Sequence, residues 1–135
     1  MKVLVDNNLS PLFAQSIHVL VEPDGDEVVA LRHRFPANTP DDVWISALGA
    51  AGGWSVLSGD VRITRRPTER LAWHQSRLKG FFLAPAWSKL TNLEKTARLL
   101  LWWPKLRIQE RLVGPGAIFQ LPINAGSRLS QVRIP

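Results

Sequence analysis

Lys2-Val3-Leu4-Val5 is a short apolar run that breaks off on Asp6-Asn7-Asn8, and a helix start, Ser10-Pro11, follows at once. Serine suits the N-cap, and proline suits the first helical position, where its missing N–H costs nothing. Leu12, Phe13, Ile17, Leu20 and Val21 recur at helical spacing and predict one apolar face. A turn signal at Glu22-Pro23-Asp24-Gly25 ends the helix, and Glu27 to Leu31 reads as a second short strand. Strand, helix and strand in that order make a βαβ unit, which demands parallel pairing and a right-handed crossover. Asp6 then stands at the carboxyl end of the central strand, the edge where open parallel sheets hold their ligands.

The same alternation continues to the end of the chain. After a polar loop over 32–38, Thr39-Pro40-Asp41-Asp42 opens a helix with a face of Trp44, Ala47, Leu48 and Ala51, and Gly52-Gly53 closes it. Trp54 to Ser58 is a third strand that ends on Gly59-Asp60, so a second strand delivers an aspartate at its carboxyl end. A basic loop, Val61 to Arg66, leads to a helix from Pro67 through Leu71, Gln75 and Leu78, with Gly80 as its C-cap. Phe81 to Ala84 is a fourth strand, apolar throughout, as in a sheet covered on both faces. Thr91-Asn92-Leu93-Glu94 is a capping box for a helix running to Trp103, where Pro104 interrupts it. Ala117 to Leu121 is a fifth strand at the sheet edge, and the polar, basic segment 123–135 is expected to be a poorly ordered tail. The expected fold is therefore a three-layer α/β/α sandwich with a mostly parallel sheet of four to five strands, in one domain over residues 1–122.

Composition narrows the chemistry. No cysteine is present, which removes disulfides, thiolate metal sites and cysteine nucleophiles together. No apolar run reaches the length of a membrane span, and the N-terminus enters directly into a strand, so a soluble, cytoplasmic protein is expected. The net charge of +6 is unevenly spread: residues 1–61 carry a balance of −5 and residues 62–135 one of +11. An acidic site able to hold a cation beside a basic surface able to hold a polyanion fits that split, as do solvated faces that merely differ.

Asp6, Asp60 and one of the first-turn acids, Asp41 or Asp42, form a candidate carboxylate cluster. The first-turn acids also have a purely structural reading, since they favour the helix dipole and can complete a capping box with Thr39. Gathered carboxylates raise each other's pKa unless a cation joins them, and oxygen ligands of this kind suit Mg²⁺ or Mn²⁺. Such an ion activates water and stabilises an in-line phosphoryl displacement. Arg62, Arg65, Arg66 and Arg70 follow immediately and suit phosphate contacts. His18 and His33 have no ligand-spaced partner, and His74, in the helix after the arginine loop, suits a surface or packing role more than a reach toward substrate. Trp44 and Trp102-Trp103 fit helix packing, and Trp73 and Trp87 are candidates for stacking on bases or contacting a partner.

Taken together, Val3 to Ser10, Thr39 to Ile45 and Val56 to Asp60 resemble the PIN-like domains, specifically the branch with VapC-type toxins of toxin–antitoxin pairs. The Phe81 to Trp87 run and Trp102-Trp103-Pro104 are also similar to that branch, so the resemblance covers most of residues 1–122. It implies Mg²⁺ or Mn²⁺ at three or four acids, RNA cleavage by metal-activated water, and a protein antitoxin as partner, with homodimers common in the family. Carried over, Asp6 and Asp60 are metal ligands and catalytic acids, joined by Asp42, or by Asp41 if one residue is inserted near Gly52-Gly53. Asn8 orients the first loop and Ser58 supports the site. Arg62 stands where relatives often carry a further acid, and Asn7 where many carry glutamate; Glu69 is the remaining candidate to replace the lost acid.

Arg62 motivates a second reading, a catalytically inactive PIN-like scaffold that binds RNA or a protein partner through its basic half. A phosphoacceptor domain of receiver type also places aspartates after its first and third strands. It requires a lysine where Ala84-Pro85-Ala86 stands.

Overall fold

The computed structural model describes residues 1–134. Six strands, β1 (Lys2–Val5), β2 (Glu27–Ala30), β3 (Trp54–Ser58), β4 (Lys79–Leu83), β5 (Ile118–Leu121) and β6 (Ser130–Val132), form one sheet in the order β2-β1-β3-β4-β5-β6. The first five strands are parallel and β6 is antiparallel to β5. Helices α1 (Pro11–Val21) and α5 (Asn92–Leu112) cover one face, and α3 (Asp41–Ala51) and α4 (Pro67–Ser76) the other. Strand alternation sorts the two cores: Val3, Val5, Phe81 and Leu83 pack toward α1 and α5, while Leu4, Val56 and Phe82 pack toward α3 and α4. This is the expected α/β/α sandwich, one strand wider than its four to five.

Local details depart from the sequence reading for identifiable reasons. In α1 the buried line is Phe13, Ala14, Ile17 and Val21, and Leu12 and Leu20 are exposed, because they lie off the i, i+4 row that faces the sheet. The face of α3 is Trp44, Ile45 and Leu48; Ala47 and Ala51 point outward. Thr39 forms no capping box, since its hydroxyl donates to Pro36 O at 2.6 Å and Pro40 occupies the N-cap. The loop expected after β2 begins as a one-turn helix, α2 (Leu31–Arg34), pinned by buried Leu31. Arg77, with φ at 57°, ends α4 in place of Gly80. Gly80 lies inside β4, where a Cβ would meet the Phe82 ring at 2.9 Å. A second close approach joins α3 to α4: a Cβ on Gly49 would stand 2.6 Å from that of Ser76.

Pro104 does not interrupt α5, which continues to Leu112. A proline inside a helix removes one backbone hydrogen bond, and tertiary contacts before it, together with buried Leu106 and the Arg107–Asp26 ion pair after it, carry the helix through. Trp102 Nε1 donates to Pro122 O at 3.0 Å and Trp103 Nε1 to Asp26 Oδ2 at 2.8 Å. The capping box at its start is present: Glu94 N donates to Thr91 Oγ1 and Thr91 N to Glu94 Oε1. The segment read as a basic tail returns as β6, so β5 lies inside the sheet; the tail's last residue, Pro135, lies outside the described residues.

At the amino edge of the sheet, Asp26 is 3% exposed and accepts from the Met1 ammonium at 2.7 Å, with Arg107 Nε at 3.1 Å and the Trp103 indole completing its shell. Along α5, Leu93, Leu101, Ile108 and Leu112 face outward and are exposed. No helix among the described residues is long and apolar enough to cross a membrane.

Candidate functional site

Strand order reverses at β1, which has β2 on one side and β3 on the other. The carboxyl ends of β1 and β3 therefore bound the switch-point crevice, and they deliver Asp6 and Asp60 to it. Asp6 is 5% exposed. Its Oδ1 accepts from Asn7 N at 2.7 Å, and its Oδ2 accepts from Ser58 Oγ at 2.9 Å and Asn8 Nδ2 at 3.4 Å. Ser58 Oγ in turn accepts from Asn8 Nδ2 and from Asp60 N, both at 3.1 Å. Asn8 Oδ1 accepts from Gly59 N at 3.0 Å. Asn8 and Ser58 thus lock the two strand ends together and fix both aspartates.

Asp60 caps the 3₁₀ turn Val61–Thr64 by accepting from Arg62 N at 3.0 Å, so the expected basic loop is a short helix with Ile63 and Thr64 buried. Arg62 folds back on the same carboxylate, Nε to Oδ1 at 2.8 Å and Nη2 to Oδ2 at 3.3 Å. Arg66 reaches Asp60 and Asp41, each at 3.5 Å, and Glu69 at 3.9 Å. Of the two first-turn acids it is therefore Asp41 that is tied to Asp60, and Trp44 Nε1 holds its other oxygen at 2.9 Å. Asp42, half-buried one residue on, takes no part in these bonds. Glu69, from the first turn of α4, approaches the same Arg66 nitrogen, Nη1, that meets Asp41.

The electrostatics divide the cluster. Burial pushes the Asp6 carboxyl above its ordinary value, the hydrogen bonds from Ser58 and Asn7 oppose this, and the charges of Asp41 and Asp60 add to the rise. The Arg62 hydrogen bond holds Asp60 below the usual carboxylate range against the effect of burial, with Arg66 adding to the fall. In kind, the donors fit a hard divalent ion: three carboxylates, steadied by a hydroxyl and an amide, with no softer ligand among them. In the present arrangement guanidinium groups stand between them, and no group of three or more acidic or histidine side chains is close enough to hold an ion among the described residues. The cation that gathers Asp41, Asp60 and Glu69 here is Arg66.

Arg65 is exposed and Arg70 half-buried, and neither side chain joins the carboxylates. His18 is structural, its Nδ1 accepting from Val28 N at 3.1 Å. Trp73 and Trp87 are buried, Trp87 Nε1 donating to Leu121 O and Trp73 packing edge-on against Phe82, so neither offers a face to a base. Three features went unread in the sequence. Trp44 as a clamp on Asp41 was signalled by their i, i+3 spacing on one helix. The bridging by Arg66, and the approach of Lys95 and Gln120 to the same sheet edge, depend on tertiary placement that no spacing reveals.

A family model described as a PIN-like domain matches residues 1–85, a span that ends at the carboxyl end of β4 and contains every one of these acids. Neither the curated proteins nor the solved structures contain a match.

Proposed function

Because the chain belongs to the PIN-like domain family, whose fold is of nuclease type, we propose that it is a Mg²⁺- or Mn²⁺-dependent ribonuclease. The observation that carries this reading is the joining of Asp6 and Asp60 across the switch point through Ser58. Asp6, Asp60 and Asp41 would hold the ion. When bound, it would supply an activated water and offset the charge that builds on the scissile phosphate. Ser58 and Asn8 keep Asp6 aimed into the crevice, and Trp44 does the same for Asp41. Arg62 and Arg66 exchange carboxylate for phosphate as an RNA strand arrives, because a phosphate offers a guanidinium the same bidentate geometry. Arg65 and Arg70 extend that basic surface along the strand.

Within this reading the protein is the toxin of a toxin–antitoxin pair. The exposed apolar stripe on α5 supports a protein partner; Arg98, Lys105 and Arg111 on the same helix would repel a second copy and favour an acidic antitoxin. The test is cleavage of single-stranded RNA with Mn²⁺ by wild type and Asp6→Asn, both checked for folding by circular dichroism. Loss of a directly coordinating carboxylate should cost more than the 10–100-fold typical of outer-shell changes. A variant as fast as wild type would remove the proposal. The twofold pairing of Arg62 with Asp60 favours the second reading, an inactive scaffold that binds RNA or a protein partner. That reading predicts salt-sensitive RNA binding unchanged by EDTA and no turnover.

A further inference from the structure

A cleft of about 570 Å³ opens beside Asp60 and Arg62 and runs over the carboxyl ends of β3, β4 and β5 to the first turn of α5. Its volume is that of pockets that enclose small organic ligands. Leu83, Ala84 and Pro85 supply an apolar floor, and Arg62, Lys95 and Gln120 reach it from three different elements. Lys95 and Gln120 are half-buried, and among the described residues neither side chain has a hydrogen-bond or ion-pair partner. Both side chains line the cleft with their polar groups uncommitted to the protein, so a ligand there can engage them without breaking an existing contact. The lining thus combines two cations from different elements, an apolar surface, and one amide able both to donate and to accept.

We propose that this cleft is a single-nucleotide subsite for the RNA strand, with one phosphate at Arg62, the next at Lys95, the base lying on the Leu83–Pro85 floor and Gln120 meeting its edge. The inference rests on the ribonuclease reading and adds to it the form of the substrate. A base can enter such a cleft only when it is unstacked, so the strand is single-stranded there. Apolar contact with the face of a base tolerates any sequence, whereas an amide at the edge discriminates. Gln120 is thereby the specificity-determining contact and Lys95 a general one.

Binding measured in EDTA isolates the cleft from any metal. The four nucleoside 3′,5′-bisphosphates are titrated by calorimetry into wild type, Lys95→Ala, Gln120→Leu and, as a basic control outside the cleft, Arg128→Ala. Lys95→Ala should weaken all four about tenfold or more, as loss of a charge-assisted contact does. Gln120→Leu should change the ranking of the four bases, and Arg128→Ala should leave binding as it was. Amide shifts on ligand addition should concentrate at residues 83–88, Lys95 and Gln120. Wild-type affinity in Lys95→Ala, or an equal loss in Arg128→Ala, overturns the subsite. If it falls while cleavage still depends on Asp6, the ribonuclease reading survives alone; if bisphosphates bind as described and Asp6→Asn still cleaves, that reading fails instead.

Discussion

Two aspartates are buried at opposite edges of one sheet, and their surroundings differ in kind. Asp26, at the amino edge, receives the Met1 ammonium, the Arg107 guanidinium and the Trp103 indole. Burial raises its pKa, but these contacts outweigh it and the group lies below its ordinary value. Asp6, at the carboxyl edge, receives only uncharged donors and faces two further carboxylates, and it lies above its ordinary value. A charge fully paired in the interior belongs to the architecture. One left buried among like charges is held there at a cost in stability, and such groups concentrate at functional sites.

Substituting each in turn tests the contrast most severely. Asp6→Asn should lower Mn²⁺-dependent RNA cleavage by more than about 100-fold while leaving thermal stability at pH 7 equal to or above that of wild type. Asp26→Asn should do the reverse. It leaves two cations without their counter-ion, and breaking a buried pair from one side costs about 3–5 kcal/mol, to be read from urea unfolding at pH 7. An Asp26→Asn protein as stable as wild type would mean that the amino-edge network contributes nothing.

The pH dependence of stability follows in opposite senses. Asp26 has a folded pKa below its unfolded value of about 3.9. Its contribution is complete above that value and is lost as pH falls through the lower folded pKa. Asp6 has a folded pKa above its unfolded value, so its contribution is complete below about 3.9 and is lost as pH rises through the raised folded pKa. Unfolding curves between pH 3 and pH 7 should therefore show the advantage of wild type over Asp26→Asn shrinking toward acid, and Asp6→Asn gaining on wild type toward neutral pH. Parallel curves for the two variants would erase the distinction.

Next in size is Arg66. Its guanidinium spans Asp41, Asp60 and Glu69, so Arg66→Ala removes the cation that now neutralises them. Mn²⁺ affinity should rise about tenfold, or 1.4 kcal/mol, by calorimetry. Unchanged affinity would mean that the guanidinium does not compete with the ion.

Asp6 and Asp60 could be placed from the sequence because strand ends are written locally: an apolar run followed by a polar break fixes where the acid emerges. β3 was legible to the residue for the same reason, and α1 nearly so, with Ser10 and Pro11 marking its start. The order of strands was not legible, nor was β6, whose Ser130-Gln131-Val132 carries no strong pattern and pairs only because β5 lies beside it. Pro104 misled for a related reason, since local propensity ends a helix there whereas the contacts of Trp102 and Trp103 carry it on. Asp41 and Asp42 are equivalent by composition. Only the position of Arg66 and the reach of Trp44 separate them.

The smallest effect is expected at Arg62, and it discriminates best between the two edges. The side chain is 77% exposed and grips Asp60 from the solvent side. Exposed ion pairs contribute little to stability, so Arg62→Ala should leave the melting temperature where it is. Asp60 would nevertheless lose the hydrogen bond that chiefly depresses its pKa, and its carboxyl titration, followed by NMR, should move up toward the ordinary value. Arg107→Ala at the other edge removes a partner from an aspartate that is almost fully enclosed, and should lower the melting temperature measurably. Equal losses of stability in the two arginine variants would show that Arg62 is as structural as Arg107, and that the carboxyl edge is braced in the same way as the amino edge.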